Sequence, residues 1–340
     1  MASNPSPLHV AVCGAGAFGR NHLRVYHELE RDGKPVKLSA ILESDAARAI
    51  ELREEWAVPV YSSVDQLLAA RDRGECRIDA ASVCVPTSAH HAVAAPLLRA
   101  GIDLLIEKPI AATTDEADDL IAIARQRGRI IQAGHLERFN PAILAVQPLL
   151  NQPMFFEAHR LSVFTQRSLD VDVVLDLMIH DLDIVLAFAR SPVCEIHAVG
   201  LPILSNKIDI ANVRVEFDSG CVANFTASRA STEQVRKLRF FQPHQYISID
   251  YARRDILVID VNAKAGPLPA AVPAALAFNK PPVEKAEPLR LEIEAFLEAV
   301  HARATPRVSA EDGRAALALA LEINRVIAEH ARRAGLEQYF

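Results

Sequence analysis

The segment VVLDLMIHDLDIVLAF, residues 173–188, is apolar enough for a core yet carries Asp176, His180, Asp181 and Asp183. At helical pitch Asp176, His180 and Asp183 fall at i, i+4 and i+7 and share one face, while Val174, Leu177, Met178, Leu182 and Val185 cover much of the rest. An imidazole, with a reference pKa near ~6.5, accepts a proton at neutral pH, and a carboxylate one turn earlier orients the ring and favours its protonated form. Asp176 and His180 are therefore suited to general-base work on a hydroxyl. Lys108, in DLLIEKPIA, ends an apolar strand pattern, and an ammonium there can stabilise a developing alkoxide. Ionisable groups on an apolar helix are costly to desolvate unless they pair, bind a ligand or line a cleft. A satisfied buried network fits this segment as well as a catalytic stripe does, and Lys108 reads nearly as well as a strand cap. A metal set of His180, Asp181 and Asp183 is disfavoured, because Asp181 points away from the other two on a helix.

These groups need elements to hold them. HVAVCGAG, VKLSAILE, IDAASVCVP, IDLLIEKP and RIIQAGH are strand patterns, separated by helical stretches such as DAARAIELREEW and TDEADDLIAIARQRG. That is the βαβ rhythm of a parallel sheet covered on both faces, so residues 1–134 are expected to form a doubly wound domain. Gly14, Gly16 and Gly19 stand in G-x-G-x-x-G spacing directly after the first strand, and Gly14 to Gly19, with Ala17 and Phe18 between them, would open a helix. The position is the one a pyrophosphate site requires: a tight turn, close backbone approach and a helix N-terminus facing negative charge. The second strand ends in Glu43, 24 residues after Gly19, where a carboxylate accepts hydrogen bonds from an adenosine ribose and repels a 2′-phosphate. NAD is therefore expected over NADP, with Arg48 nearby as the one group that would favour NADP. In an open parallel sheet the carboxyl ends of strands face the ligand crevice, which puts Pro86, Thr87 and His90 of VPTSAHH and Glu107 and Lys108 at the cofactor.

After His135 the rhythm changes to one long helix near 171–189 and alternating strands such as ANVRVEF and CVANFTA around the turn DSG. Residues 135–340 are expected to form an α+β domain with an open, mostly antiparallel sheet, used for substrate binding and oligomerisation as a homodimer or homotetramer. Residues 262–285, rich in Ala and Pro, read as an extended arm, and two helices near 286–303 and 309–334 close the chain. A net charge of −6 without long like-charge runs argues against a nucleic-acid or anionic-membrane partner. Five scattered cysteines without a CxxC pair, and no leader-like or membrane-spanning apolar run, point to the cytoplasm.

Taken together, the glycine turn, VPTSAH, AGIDLLIEKPIA, GHLERFNPA, DLMIHDLD and the closing EPLRLEIEAFLEAVHARATPRVSAEDGRAALALALEI resemble the Gfo/Idh/MocA family of NAD(P)-dependent sugar dehydrogenases over nearly the whole chain. The resemblance implies a catalytic group of Lys108, Asp176 and His180, with the family's following aspartate falling on Asp183. It also implies that His135, Glu137, Arg138 and Asn140 touch the nicotinamide or the sugar. Within the family, GHLERFNP, VVLDLMIHDLD and the stretch from Asp218 to Tyr251 are most similar to members that oxidise the 3-hydroxyl of UDP-N-acetylglucosamine or related nucleotide sugars. Arg229, Arg236, Lys237 and Arg239 would then supply positive charge for a diphosphate. Inositol or a free sugar is the alternative substrate, and a cofactor-binding regulator without turnover is the alternative of another class. The family's run of glycines before the aspartate is replaced here by DVDV, and Met178 stands where glycine is common.

Overall fold

Val10–Cys13 is buried without polar alternation, as a central parallel strand must be. In the computed structural model, which describes residues 6–164, 171–261 and 276–339, this strand is the middle of a six-stranded parallel sheet. The strands are β1 (Leu8–Cys13), β2 (Val36–Leu42), β3 (Val60–Tyr61), β4 (Ala80–Val83), β5 (Asp103–Glu107) and β6 (Ile131–Gly134), in the order β3-β2-β1-β4-β5-β6. The order reverses beside β1, which creates the crevice where doubly wound folds bind ligands. Helices α1 (Ala17–Arg31), α2 (Ala46–Trp56), α3 (Val64–Asp72), α4 (His90–Arg99) and α5 (Thr114–Arg127) make the crossovers. Their ends are written locally: Thr113 caps α5 by accepting from the Glu116 N–H, and Gly128 ends it in the left-handed region. The two-residue β3 escaped the sequence reading because it is too short to show a period.

By contacts the chain forms two compact units, Met1–Leu136 with Glu287–Leu317, and Glu137–Ala286 with Ala318–Phe340. Sequence order would leave both C-terminal helices, α8 (Pro288–Ala302) and α9 (Ala310–Arg333), with the second domain. Instead α8 joins the first unit, because Leu289, Ile293, Phe296, Leu297 and Val300 cluster with Leu23, Val25 and Leu29 of α1. Burying each such side chain stabilises by about 1.5–3 kcal/mol. Ion pairs of Arg24 with Glu287 and of Arg290 with Asp32 flank the contact.

The second unit is built on an eight-stranded sheet of β7 (Phe155–Val163), β8 (Val193–Leu201), β9 (Ile210–Phe217), β10 (Val222–Ser231), β11 (Val235–Gln242), β12 (Gln245–Asp250), β13 (Asp255–Val261) and β14 (Leu276–Asn279), ordered β14-β13-β12-β11-β7-β10-β9-β8. Its pairs are antiparallel except β7 with β10. One face packs on α7 (Ile179–Ala189), where Phe188 meets Phe240 edge-on and Phe240 meets Phe156. A short helix α6 (Pro141–Val146) precedes the sheet. The expected arm at 262–285 lies largely outside the described residues.

Candidate active site

Each glycine of the turn has its own steric reason. Gly14 sits at φ +87°, and a Cβ there would lie 2.8 Å from the main-chain N of Val85 at the end of β4. A Cβ on Gly19 would lie 1.9 Å from the Gly14 carbonyl oxygen, so the turn and α1 touch through bare backbone. Gly16, the N-cap of α1, meets nothing within 4 Å. Its position is thus open on the side from which a phosphate approaches the first N–H groups of α1, beginning at Ala17 and Phe18.

Glu43, 5% exposed, turns back onto this turn. Oε2 accepts from the Ala15 N–H at 3.0 Å and from Arg48 Nη1 at 3.1 Å, and Oε1 from the Asp45 N–H at 2.9 Å. Burial alone would raise its pKa, but these donors more than offset that and hold the carboxyl below its ordinary range. Arg48 is thereby committed to Glu43. An anionic carboxylate beside a bare helix N-terminus fits a dinucleotide with free ribose hydroxyls.

Lys108 stands at the carboxyl end of β5, half-buried, and is joined to Pro109 by a cis peptide. His90 is 1% exposed, with Nδ1 2.8 Å from the Pro109 carbonyl oxygen and Nε2 2.9 Å from that of Val85. Both ring nitrogens therefore face main chain, and His90 ties the segment after Lys108 to the end of β4. Pro86 is exposed and Thr87 half-buried in the turn between them. Three buried polar residues near this strand end were not singled out in the sequence: His22 and Tyr26 on the inner face of α1, and Ser82 on β4, all completely buried. His22 bonds Ser82 and Glu107. Their one signal was a pair of polar-tipped residues at i, i+4 on a helix face that otherwise reads as core.

In the second unit the expected stripe divides. Val174–Met178 forms a wider, π-helical turn running into α7, and Asp176 and His180 are half-buried there. Asp172 opens the helix, its Oδ1 accepting from the Val174 and Leu175 N–H groups at 2.9 and 3.0 Å and its Oδ2 from Asn324 Nδ2 at 3.0 Å. This gives DVDV a local purpose, since a capping carboxylate stands where glycines are usual. Asp183 is 2% exposed and 3.3 Å from Arg138 Nη1. Asp181, also 2% exposed, receives a bidentate pair from Arg160, Nε to Oδ2 at 2.8 Å and Nη2 to Oδ1 at 3.0 Å. Burial and the Asp181 charge together push the nearby Tyr251 phenol well above its ordinary value.

Two expected substrate contacts belong to the same buried network. Glu137 Oε1 accepts from Arg160 Nη1 at 3.1 Å and Oε2 from Asn140 Nδ2 at 3.0 Å, while Asn140 Oδ1 caps α6 through the Ala142 N–H. Glu137 and Asn140 are held by structure, and Arg138 is engaged by Asp183. His135 is buried at the end of β6. The four basic residues proposed for a diphosphate do not form one cluster. Side chains alternate along a strand, so Arg236 shares the α7-covered face with Leu238 and Phe240, whereas Lys237 and Arg239 point to the opposite face, where Arg239 is 3.6 Å from Glu157. Arg229 is 5% exposed, donates to the Val171 carbonyl oxygen and lies 3.7 Å from Asp209 Oδ1, so its side chain is anchored within the protein. Among the described residues no group of three or more His, Cys, Asp or Glu is arranged to hold a metal ion.

Residues 8–135 match the model of an oxidoreductase family with an NAD-binding Rossmann fold, and residues 143–242 match the C-terminal domain model of the GFO/IDH/MocA proteins. The chain belongs to the GFO/IDH/MocA oxidoreductase family. UDP-N-acetylglucosamine 3-dehydrogenase of Acidithiobacillus ferrooxidans is 34% identical over 328 residues, covering 96% of this chain and 99% of that enzyme. A structure of that enzyme superposes with a TM-score of 0.85 at 33% identity, over 95% of this chain and 98% of the other. An inositol 2-dehydrogenase/D-chiro-inositol 3-dehydrogenase of Shouchella clausii is 29% identical over 52% of this chain and 51% of its own. Levoglucosan dehydrogenase in complex with NADH shares the fold, with a TM-score of 0.81 at 16% identity, over 95% of this chain and 98% of that one. As a member of this family the protein is an NAD-dependent oxidoreductase. No helix among the described residues is long and apolar enough to cross a membrane.

Proposed function

We propose that the protein oxidises the 3-hydroxyl of UDP-N-acetylglucosamine or a closely related nucleotide sugar. The observation that carries this reading is the end-to-end match to an enzyme of that activity, whereas the inositol dehydrogenase matches over about half of either chain. The first unit would hold the dinucleotide through the Gly14–Gly19 turn and Glu43, and the second would supply the sugar site. NAD held by that turn would supply the acceptor for the hydride that leaves the carbinol carbon. His180 accepts the hydroxyl proton at a ring nitrogen, Asp176 one turn earlier orients that ring and stabilises its cation, and Lys108 hydrogen-bonds the reacting oxygen as negative charge develops. Arg236, half-buried on the α7 face, is the remaining candidate for the diphosphate.

We place the reaction in the cytoplasm, in keeping with five unpaired cysteines, and expect a homodimer or homotetramer. The open sheet face, with the stacked Phe155 and Phe241 and the adjacent Tyr246, supplies an apolar surface for self-association. The test is appearance of reduced nicotinamide when purified protein meets NAD and UDP-N-acetylglucosamine, with an aminotransferase present to draw off the ketone. Turnover of inositol or free sugars in place of the nucleotide sugar would overturn the substrate assignment. Tight NADH binding with no turnover of any sugar would favour a regulator.

A further inference from the structure

Beneath the glycine turn the first unit contains a chain of buried polar groups. Tyr26 OH lies 2.9 Å from Ser82 Oγ, Ser82 Oγ lies 3.1 Å from His22 Nδ1, and His22 Nε2 lies 3.1 Å from Glu107 Oε1. Tyr26, Ser82 and His22 are 0% exposed, so each hydrogen needs an acceptor inside the protein. One assignment serves all three contacts. Tyr26 donates to Ser82, Ser82 donates to His22 Nδ1, and His22 donates from Nε2 to Glu107. A proton on Nδ1 alone would turn an Nε2 lone pair onto the Glu107 carboxylate, which has no hydrogen to give in return.

The chain ends on the residue that precedes Lys108. Glu107 is also braced from β6, where a Cβ on Gly134 would lie 2.9 Å from both its Cα and its Oε1. Three of the titratable groups around it, Cys84, Tyr26 and His90, are shifted towards their neutral forms. Burial and the charge of Glu107 push the Cys84 thiol well up, burial pushes the Tyr26 phenol up, and burial lowers the His90 pKa. Glu292 on α8 is the further carboxylate facing this group.

We propose that His22 is a positioning residue for the oxidoreductase reaction, a buried imidazole whose Nε2–H holds the Glu107 carboxylate and thereby fixes the strand end that carries Lys108. The role rests on the reading of Lys108 as a catalytic group, and the network beneath it is tested separately from that reading. Loss of the donor lets the carboxylate and the adjoining peptide shift, and a displacement near 1 Å in a reacting group costs up to about 10²-fold in rate.

The experiment compares wild type, His22→Leu, His22→Gln and Ser82→Ala. His22→Leu is expected to lower kcat about ten- to hundredfold while KM for NAD and for the nucleotide sugar stays within about threefold. His22→Gln, which keeps an N–H donor, recovers most of the rate. Ser82→Ala falls between. Equal losses in the Leu and Gln variants, or losses in KM and thermal stability alone, would overturn the positioning role. Nitrogen-15 resonances of the His22 ring read the network without turnover: a hydrogen on Nε2 supports it, and the Nδ1–H tautomer with a bare Nε2 refutes it whatever the activity. Expected ring resonances in a wild type that turns over no sugar would refute the catalytic reading of Lys108, and with it the kinetic role of His22.

Discussion

Gly16 and Gly19 lie three residues apart in one turn, yet substitution by alanine should damage different properties. At Gly19 the new methyl would lie 1.9 Å from the Gly14 carbonyl oxygen and 2.9 Å from its carbonyl carbon, well inside contact distance and against backbone that cannot rotate away. The turn and α1 must separate by more than 1 Å, which for an overpacked site costs about 1–3 kcal/mol. At about 2–4 °C per kcal/mol for a unit of this size, Gly19→Ala should melt roughly 2–12 °C below wild type without cofactor. At Gly16 an added methyl meets nothing within 4 Å, and φ −66° suits alanine. Gly16→Ala should therefore melt within about 2 °C of wild type, reflecting a few tenths of a kcal/mol in capping preference. Its methyl nevertheless stands where a pyrophosphate would approach α1, so NADH affinity should fall about 10- to 100-fold, or about 1.4–2.8 kcal/mol. Thermal unfolding and fluorescence titration with NADH separate the two effects. A Gly16→Ala protein that binds NADH like wild type would refute the assignment of this turn to the phosphates, and a Gly19→Ala protein of undiminished stability would refute the packing argument.

Lys108→Ala and His180→Ala should each lower kcat by at least about 10² while leaving NADH affinity nearly unchanged, as stopped-flow turnover and titration would show. Arg160→Met would leave Asp181 and Glu137 buried without their cation and should cost about 3–5 kcal/mol in urea unfolding. At Asp209, burial would raise the pKa, but the N–H groups of Leu204, Ile203 and Ser205 and the Ser205 hydroxyl more than offset it and hold the carboxyl below its ordinary range. A depressed folded value stabilises above the unfolded pKa near ~3.9 and is lost as pH falls through the lower folded value, so the window lies below about pH 4. Asp209→Asn should flatten the acid-unfolding curve in that window relative to wild type.

Much of the first unit was legible because its information is local. The unbroken apolar run at Val10–Cys13, the glycine spacing and Glu43 at the end of β2 depend on neighbours within a few dozen residues and on a period of two or three and a half. The expected residues Lys108, Asp176 and His180 likewise sit at a strand end and a helix start, positions that pattern alone predicts. What the linear chain could not decide is which charges pair with which. Glu137 and Asn140 stand in one short motif, but only the fold shows Arg160, on a strand some twenty residues away, taking Glu137 and Asp181 together; Arg229 to Arg239 read as one basic patch until the strand alternation and the buried Arg229–Asp209 contact divide them. The addition of α8 to the first unit, and the chain from Tyr26 through Ser82 and His22 to Glu107, join elements dozens to hundreds of residues apart. Residue types and their period determined the elements and the cofactor turn. Only tertiary packing decided the roles of the buried polar groups, because desolvation makes the identity of each partner, and not the residue type, the source of its free energy.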